Sequence, residues 1–247
     1  MDKIYISELM NLQRNERHFS NWVLNDIICL HAPTGAGKTT FILNELNEFA
    51  KTWNNRILIL VNRTSSKDQF IEAAKKDKNI TVKTYQSLES EYSEYNLTQF
   101  EYIVCDECHY FLDDSLFNKN TSISFKKVLQ TKNNIKIFMS ATGSMFFQLL
   151  KDIQVNKNRD LFTDIDLEDQ NIIEYDFSLR ISKNFTPMII EPKFFKSEAE
   201  DIVNRSVTTK EKVIWFCRTA KNSCTRYSDF TSKFGDISAI HTASKNN

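Results

Sequence analysis

The stretch Asp26-Ile27-Ile28-Cys29-Leu30-His31-Ala32-Pro33-Thr34-Gly35-Ala36-Gly37-Lys38-Thr39-Thr40 decides how the chain reads. A short apolar run reaches a turn with two glycines. A segment of helical period follows, with Ile42, Leu46 and Phe49 on one face. Strand, glycine loop and helix in that order is the context in which a backbone cradles phosphate. Gly35 and Gly37 let the chain close around an anion with no side chain in the way. Thr34, Gly35, Ala36, Gly37, Lys38, Thr39 and Thr40 then present successive N–H groups at the positive end of the helix. Lys38 is a mobile cation suited to β- and γ-phosphates, and Thr39 offers a hydroxyl to Mg²⁺. The strict pattern asks for glycine where Ala32 stands. Only 4 glycines occur in the chain, so two of them in one loop argue against a chance turn.

Outward from this loop, apolar runs alternate with helical stretches. Strands are expected at Asp26–His31, Arg56–Asn62, Ile80–Lys83, Tyr102–Asp106 and Asn134–Ser140. Helices are expected at Lys38–Ala50, Ser65–Lys76, Gln86–Glu94 and Ser144–Ile153. That alternation predicts an α/β fold, a mostly parallel sheet flanked by helices. The run Ile57–Val61 fits a central strand covered on both faces. After Asn156 the pattern changes. An acidic stretch, Asp160–Asp169, leads into extended pieces at Asn171–Phe177 and Met188–Phe195, read as an interdomain connection. A helix at Ser197–Arg205, a strand at Lys212–Cys217 and a strand at Ile237–His241 follow. The domains expected are therefore 1–158, a connection over 159–206, and a second, truncated α/β unit over 207–247.

Composition narrows the class. With 41% hydrophobic and 26% charged residues, the 247-residue chain can bury a core and is not a disordered tail. Lys plus Arg number 32 and Asp plus Glu number 32, so the strongly basic surface of a histone-like binder is excluded, although a local groove can still be positive. No apolar run approaches the ~20 residues that span a bilayer, and no apolar signal core follows the first charges. Five cysteines, an odd number in mostly apolar contexts, read as reduced buried thiols of a cytoplasmic protein.

Tyr102-Ile-Val-Cys-Asp-Glu-Cys-His109 is an apolar strand ending in two carboxylates. A strand beside the phosphate-loop strand would aim Asp106 at the metal and leave Glu107 to polarise an attacking water. Cys105 and Cys108 also suggest half of a zinc site. That reading is rejected because no second cysteine pair stands at suitable spacing and Cys105 should point into the sheet.

Asp106-Glu107-Cys108-His109 resembles the Walker B (DExH) box of superfamily-two helicases, and Ala32–Thr40 resembles their motif I, where alanine often replaces the first glycine. Ser140-Ala141-Thr142, after an apolar strand, resembles motif III. The resemblance implies a RecA-like P-loop NTPase domain that uses ATP and Mg²⁺, with Lys38, Asp106 and Glu107 catalytic and Thr39 and Asp106 at the metal. His109, Ser140 and Thr142 would couple nucleotide state to the cleft between two RecA-like domains. Val61-Asn62-Arg63-Thr64 with Gln69 resembles motif Ia, and Thr84-Tyr85-Gln86-Ser87-Leu88 resembles motif Ib. By that likeness Arg63 and Thr84 grip the phosphate backbone of RNA or DNA, while Thr84 equally suits a helix N-cap. Gln13 resembles the adenine-reading glutamine upstream of motif I. Lys212–Thr219, with Arg218, resembles the motif IV strand that opens the second domain. Tyr110–Asn118 is similar to the matching stretch of a group of bacterial DEAD/DEAH-box helicase-family proteins.

Motifs V and VI have no counterpart in these 247 residues. Motif VI carries the arginine finger, and such a finger is worth about 10³ to 10⁵ in rate. The expectation is the ATP-binding portion of an ATP-dependent nucleic-acid helicase or translocase, a fragment with weak hydrolysis alone, completed by the rest of the helicase core in cis or in trans. Two other readings stay open. One is a nucleotide-binding module without turnover that docks on a partner; the other is a P-loop small-molecule kinase.

Overall fold

The computed structural model describes residues 6–12, 18–75, 77–89, 95–113, 120–155, 165–167, 169–177 and 201. The elements run α1 (Ile6–Leu12), β1 (Ile27–His31), α2 (Lys38–Phe41), a π turn (Ile42–Leu46), α3 (Asn47–Thr52), β2 (Ile57–Val61), α4 (Thr64–Ala73) and β3 (Ile80–Thr84). They continue with β4 (Tyr102–Asp106), α5 (Tyr110–Asp113), α6 (Thr121–Gln130), β5 (Ile135–Ser140), α7 (Ser144–Val155) and β6 (Ile172–Asp176). The six strands form one sheet of order β3-β2-β4-β5-β1-β6, and every pairing in it is parallel.

The strands alternate their side chains between two apolar layers. Ile28, Leu30, Ile57, Ile59, Val61, Val104, Ile137 and Met139 face a layer shared with Phe41, Ile42, Leu46, Ala50 and Phe70 from α2, the π turn, α3 and α4. Ile27, Cys29, Leu58, Leu60, Ile103, Cys105 and Phe138 face the opposite layer, with Phe125, Val128, Phe146, Leu150 and Ile153 from α6 and α7. Burial on both faces is why β2 and β5 carry no exposed position at all.

From β1 the chain steps through β2 to β3 over the first layer, then returns through β4 and β5 to β6 over the second. Opposite directions on opposite faces keep the crossovers right-handed. The helices leaving the neighbours β1 and β5 therefore diverge, and this opens a crevice at the carboxyl edge where open α/β sheets bind ligands.

The five strands expected between Asp26 and Ser140 fall where the sequence put them, within a residue. The helix expected over Ser144–Ile153 forms and runs to Val155. The one expected over Gln86–Glu94 does not start as such: a single 3-10 turn covers Tyr85–Leu88, and residues 90–94 lie outside the described residues. Ser87 Oγ donates to the Thr84 carbonyl at 2.6 Å, and Tyr85 and Leu88 are pulled into the core, which favours a tight turn over an amphipathic helix. Residues 172–176, assigned from sequence to the interdomain connection, form β6 against β1, locked by a Trp22 Nε1–H to Tyr175 Oη hydrogen bond of 2.8 Å. By its contacts the chain divides into compact units at Met1–Lys183 and Asn184–Asn247. The expected elements beyond residue 187 lie almost wholly outside the described residues.

Candidate functional site

The loop between β1 and α2 closes with Gly35 at φ 78° and Gly37 at φ 87°. Both values lie in the left-handed region that glycine adopts without penalty. Gly37 is the N-cap of α2, and the helical path continues from Lys38 through the π turn to Thr52. Thr34, Gly35, Thr39 and Thr40 are exposed around this turn, while Ala32 and Ala36 are buried beneath it. The Ile6 N–H donates to the Ala36 carbonyl at 3.0 Å, so α1 holds the loop from outside. Gln13 follows α1 by one residue and lies outside the described residues, as does Arg218.

Lys38 is 9% exposed, and its Nζ donates to the carbonyls of Ala32 at 2.9 Å and Pro33 at 3.4 Å. The ammonium is thereby folded over the loop it serves. It also reaches Asp106 electrostatically. Burial and the neighbouring Glu107 push the Asp106 carboxyl up to about 6, and Lys38 acts in the opposite sense. A carboxylate short of positive charge, beside a second carboxylate and within the field of one lysine, suits a cation.

The expectation that the strand of Asp106 lies beside the phosphate-loop strand is corrected here. β5 runs between β1 and β4. The insertion brings a third strand end into the site, because Ser140 is in register with His31 while Met139 is in register with Asp106. Two interstrand steps of roughly 4.8 Å separate β1 from β4 at this edge of the sheet.

Ser140 is fully buried and gathers Glu107, His109 and Thr142 into one knot. Its Oγ lies 2.8 Å from His109 Nδ1 and 3.5 Å from Glu107 Oε2, and it accepts the Thr142 N–H at 3.0 Å. His109 Nδ1 and Glu107 Oε2 are 3.3 Å apart. Glu107 has φ 51°, a conformation that costs a non-glycine residue on the order of 1 kcal/mol or more. Backbone bonds hold the turn: Cys108 N–H to the Met139 carbonyl at 3.0 Å, and Tyr110 N–H to the Glu107 carbonyl at 3.0 Å. Cys105 faces the second apolar layer, and burial raises its thiol, as it raises those of Cys108 and Cys29.

Arg63 and Thr84 stand together at the same edge. Val61 pairs in register with Thr84, and Arg63, exposed, follows two residues later as the N-cap of α4. Thr84 occupies the N-cap position of its 3-10 turn, but its side chain makes no capping bond.

Two contributors escaped the sequence reading. His31, the last residue of β1, joins Ala141 O through Nε2 at 3.0 Å and lies 3.5 Å from Asp176 through Nδ1, tying β1 to both neighbours. Gly143 ends the Ser-Ala-Thr turn, where an added Cβ would fall 2.7 Å from the Phe147 ring. A histidine at a strand end and an isolated glycine carry little signal in one sequence.

A parallel sheet with a glycine loop after β1, an Asp-Glu pair after β4 and Ser-Ala-Thr after β5 defines the N-terminal, RecA-like P-loop domain of a superfamily-two helicase. The chain belongs to the family described as "Type III restriction enzyme, res subunit", whose model matches residues 6–76 and 64–145, together more than half of its length. Among solved structures it is similar to the UvsW helicase from Bacteriophage T4. The identity is 17% with a TM-score of 0.38, over 61% of this chain and 55% of that one, so the chain spans about half of that structure's length. The curated proteins yield no match. Among the described residues no helix is long and apolar enough to cross a membrane.

Proposed function

We propose that this chain is the ATP-binding portion of an ATP-dependent helicase or translocase that grips RNA or DNA by its phosphate backbone. The observation that carries the reading is the loop after β1, wound at Gly35 and Gly37 ahead of buried Lys38, at the same sheet edge as the Asp106–Glu107 turn that ends β4. The residues fit a nucleotide with its magnesium. The loop is wound at two glycines, Gly35 has open space where a Cβ would stand, and the neighbouring Glu107 together with burial raises the Asp106 carboxyl.

In this reading the N–H groups of Thr34 to Thr40 bind the phosphates, and Lys38 exchanges its carbonyl partners for phosphate oxygens. Thr39 and Asp106 would hold the metal, which supplies charge neutralisation at the transferring phosphoryl group. Glu107, positioned by His109 and Ser140, accepts the proton of the attacking water. Thr142, bonded to Ser140 through its N–H, carries that state onward to the rest of the helicase core. Arg63 and Thr84, neighbours at the sheet edge, hold backbone phosphates without reading bases.

The test is nucleotide turnover with and without nucleic acid. Binding of ATP with Mg²⁺, slow hydrolysis and an affinity for single strands would support the reading. Phosphorylation of a small acceptor would favour a kinase, and binding with no hydrolysis in the presence of the remaining helicase core would favour a docking module.

A further inference from the structure

Tyr85 lies directly after Thr84 and is fully buried, yet it reaches the other half of the site. Its hydroxyl donates to the backbone carbonyl of Asp106 at 2.9 Å. That carbonyl shares a peptide plane with the Glu107 N–H, so its orientation helps set the Glu107 φ of 51°. The ring is fixed independently. It stacks on Tyr110 at 4.8 Å with the planes 7° apart, and meets Phe111 edge-on at 4.7 Å. Tyr110 in turn donates to Glu89 Oε1 at 2.7 Å, and Gln86 Nε2 donates to Tyr110 Oη at 3.0 Å and to the Asn62 carbonyl at 3.3 Å. Two ends of one short segment are thus tied to different functions: the Thr84 end to the exposed sheet edge with Arg63, the Tyr85 hydroxyl to the peptide between the two acidic residues. Burial keeps the phenol protonated, so it remains a donor across the working pH range.

The geometry points to Tyr85 as a positioning residue that transmits strand binding at Thr84 to the Asp106–Glu107 peptide. This rests on the function proposed above. A phosphate that draws on Thr84 displaces the first residue of the 3-10 turn, and Tyr85 has no freedom to absorb the displacement because its ring is clamped on two sides. The peptide it holds then turns, and Glu107 moves along an already strained coordinate. Energetic coupling of this kind is reciprocal: strand binding must alter nucleotide affinity by the factor with which nucleotide alters strand affinity.

The experiment uses the whole chain. Affinity for a fluorescent, non-hydrolysable ATP analogue with Mg²⁺ is measured with and without a saturating single-stranded deoxythymidine oligonucleotide, for the native protein, Tyr85→Phe and Lys38→Ala. The expected result is a native coupling factor of about fivefold or more. Tyr85→Phe, which keeps the stacked ring, should bring it to about one while each ligand alone binds within about twofold of native. A structural role alone would shift thermal stability and leave the coupling factor intact, so unchanged coupling in Tyr85→Phe overturns the inference. So does a native factor of one when Lys38→Ala still abolishes analogue binding; the nucleotide site then stands and the relay does not. If the native protein binds no analogue, the proposed function itself fails and takes this inference with it. Should Tyr85→Phe not fold, amide exchange in the native protein decides. Oligonucleotide alone must change exchange at Glu107 and Cys108, and no change there is equally fatal.

Discussion

Lys38 begins α2 and Asp106 ends β4, and the proposed site depends on the charges these two elements bring to one edge of the sheet. Lys38→Ala should abolish nucleotide binding, as titration with a fluorescent ATP analogue will report. Glu107→Gln keeps the shape and the loop intact, so binding should persist while hydrolysis falls by about 10² to 10⁴; normal hydrolysis in that variant would remove Glu107 from the mechanism. Asp106 allows a stability test that needs no ligand. Its carboxyl rises from 3.8 to about 6 in the folded protein, so the folded state holds the proton more tightly than the unfolded chain. Ionising it therefore costs stability as pH rises from about 4 to 6, with no further change above. About two pH units at 1.36 kcal/mol each bound the cost at roughly 3 kcal/mol. Partial solvent access brings the expected gain in Asp106→Asn nearer 1 kcal/mol at pH 7. Denaturant melts at pH 4 and pH 7 should show the variant losing this pH dependence.

At the scale of elements, β5 concentrates the constraints. Lys136 is fully buried in its interior, where Nζ donates to Gln170 Oε1 at 3.2 Å, and burial lowers its pKa from 10.5 to about 8. The unfolded chain binds this proton more tightly, so charging the buried amine costs stability below pH 8, and the cost fades between 8 and 10.5. Lys136→Met should be more stable at pH 7 by on the order of 1 kcal/mol, after allowing for the hydrogen bond that Gln170 loses. It should also show no stability gain at alkaline pH; a native protein equally flat above pH 8 would contradict this. The turn from β5 into α7 is tight for a different reason. Gly143→Ala places a methyl against Phe147 and Ser140, a clash worth about 1–3 kcal/mol. Adding Phe147→Leu should recover part of that loss in thermal melts, since it withdraws the ring atoms that the methyl meets.

For the molecule as a whole, the proposed function sets an expectation for nucleotide turnover by these 247 residues. The chain alone is expected to bind ATP with Mg²⁺ and hydrolyse it slowly. A separate polypeptide carrying the remaining motifs should raise the rate by about 10³ or more if it supplies the arginine finger. Robust nucleic-acid-stimulated hydrolysis by the chain alone, in a steady-state assay, would refute that arrangement.

Local chemistry made much of this legible in the sequence. Apolar runs flanked by polar turns located β1, β2, β4 and β5, because a strand buried on both faces must be largely apolar along its length, while β3 at the sheet edge is half-buried and more polar. Gly35 and Gly37 marked the loop because few other residues accept positive φ, and the carboxylates after Tyr102–Cys105 marked a strand end. Tertiary structure alone decided the rest. No pattern in Ile135–Ser140 tells which strands it separates, so the place of β5 between β1 and β4 could not be read. The same holds for β6, whose residues look like any extended segment until Trp22 and β1 receive them. The knot at Ser140 and the reach of Tyr85 to Asp106 join residues 31 and 21 positions apart in the chain. Such contacts follow from strand order, which is a property of how the whole chain packs; the sequence determines the parts, and packing determines their neighbours.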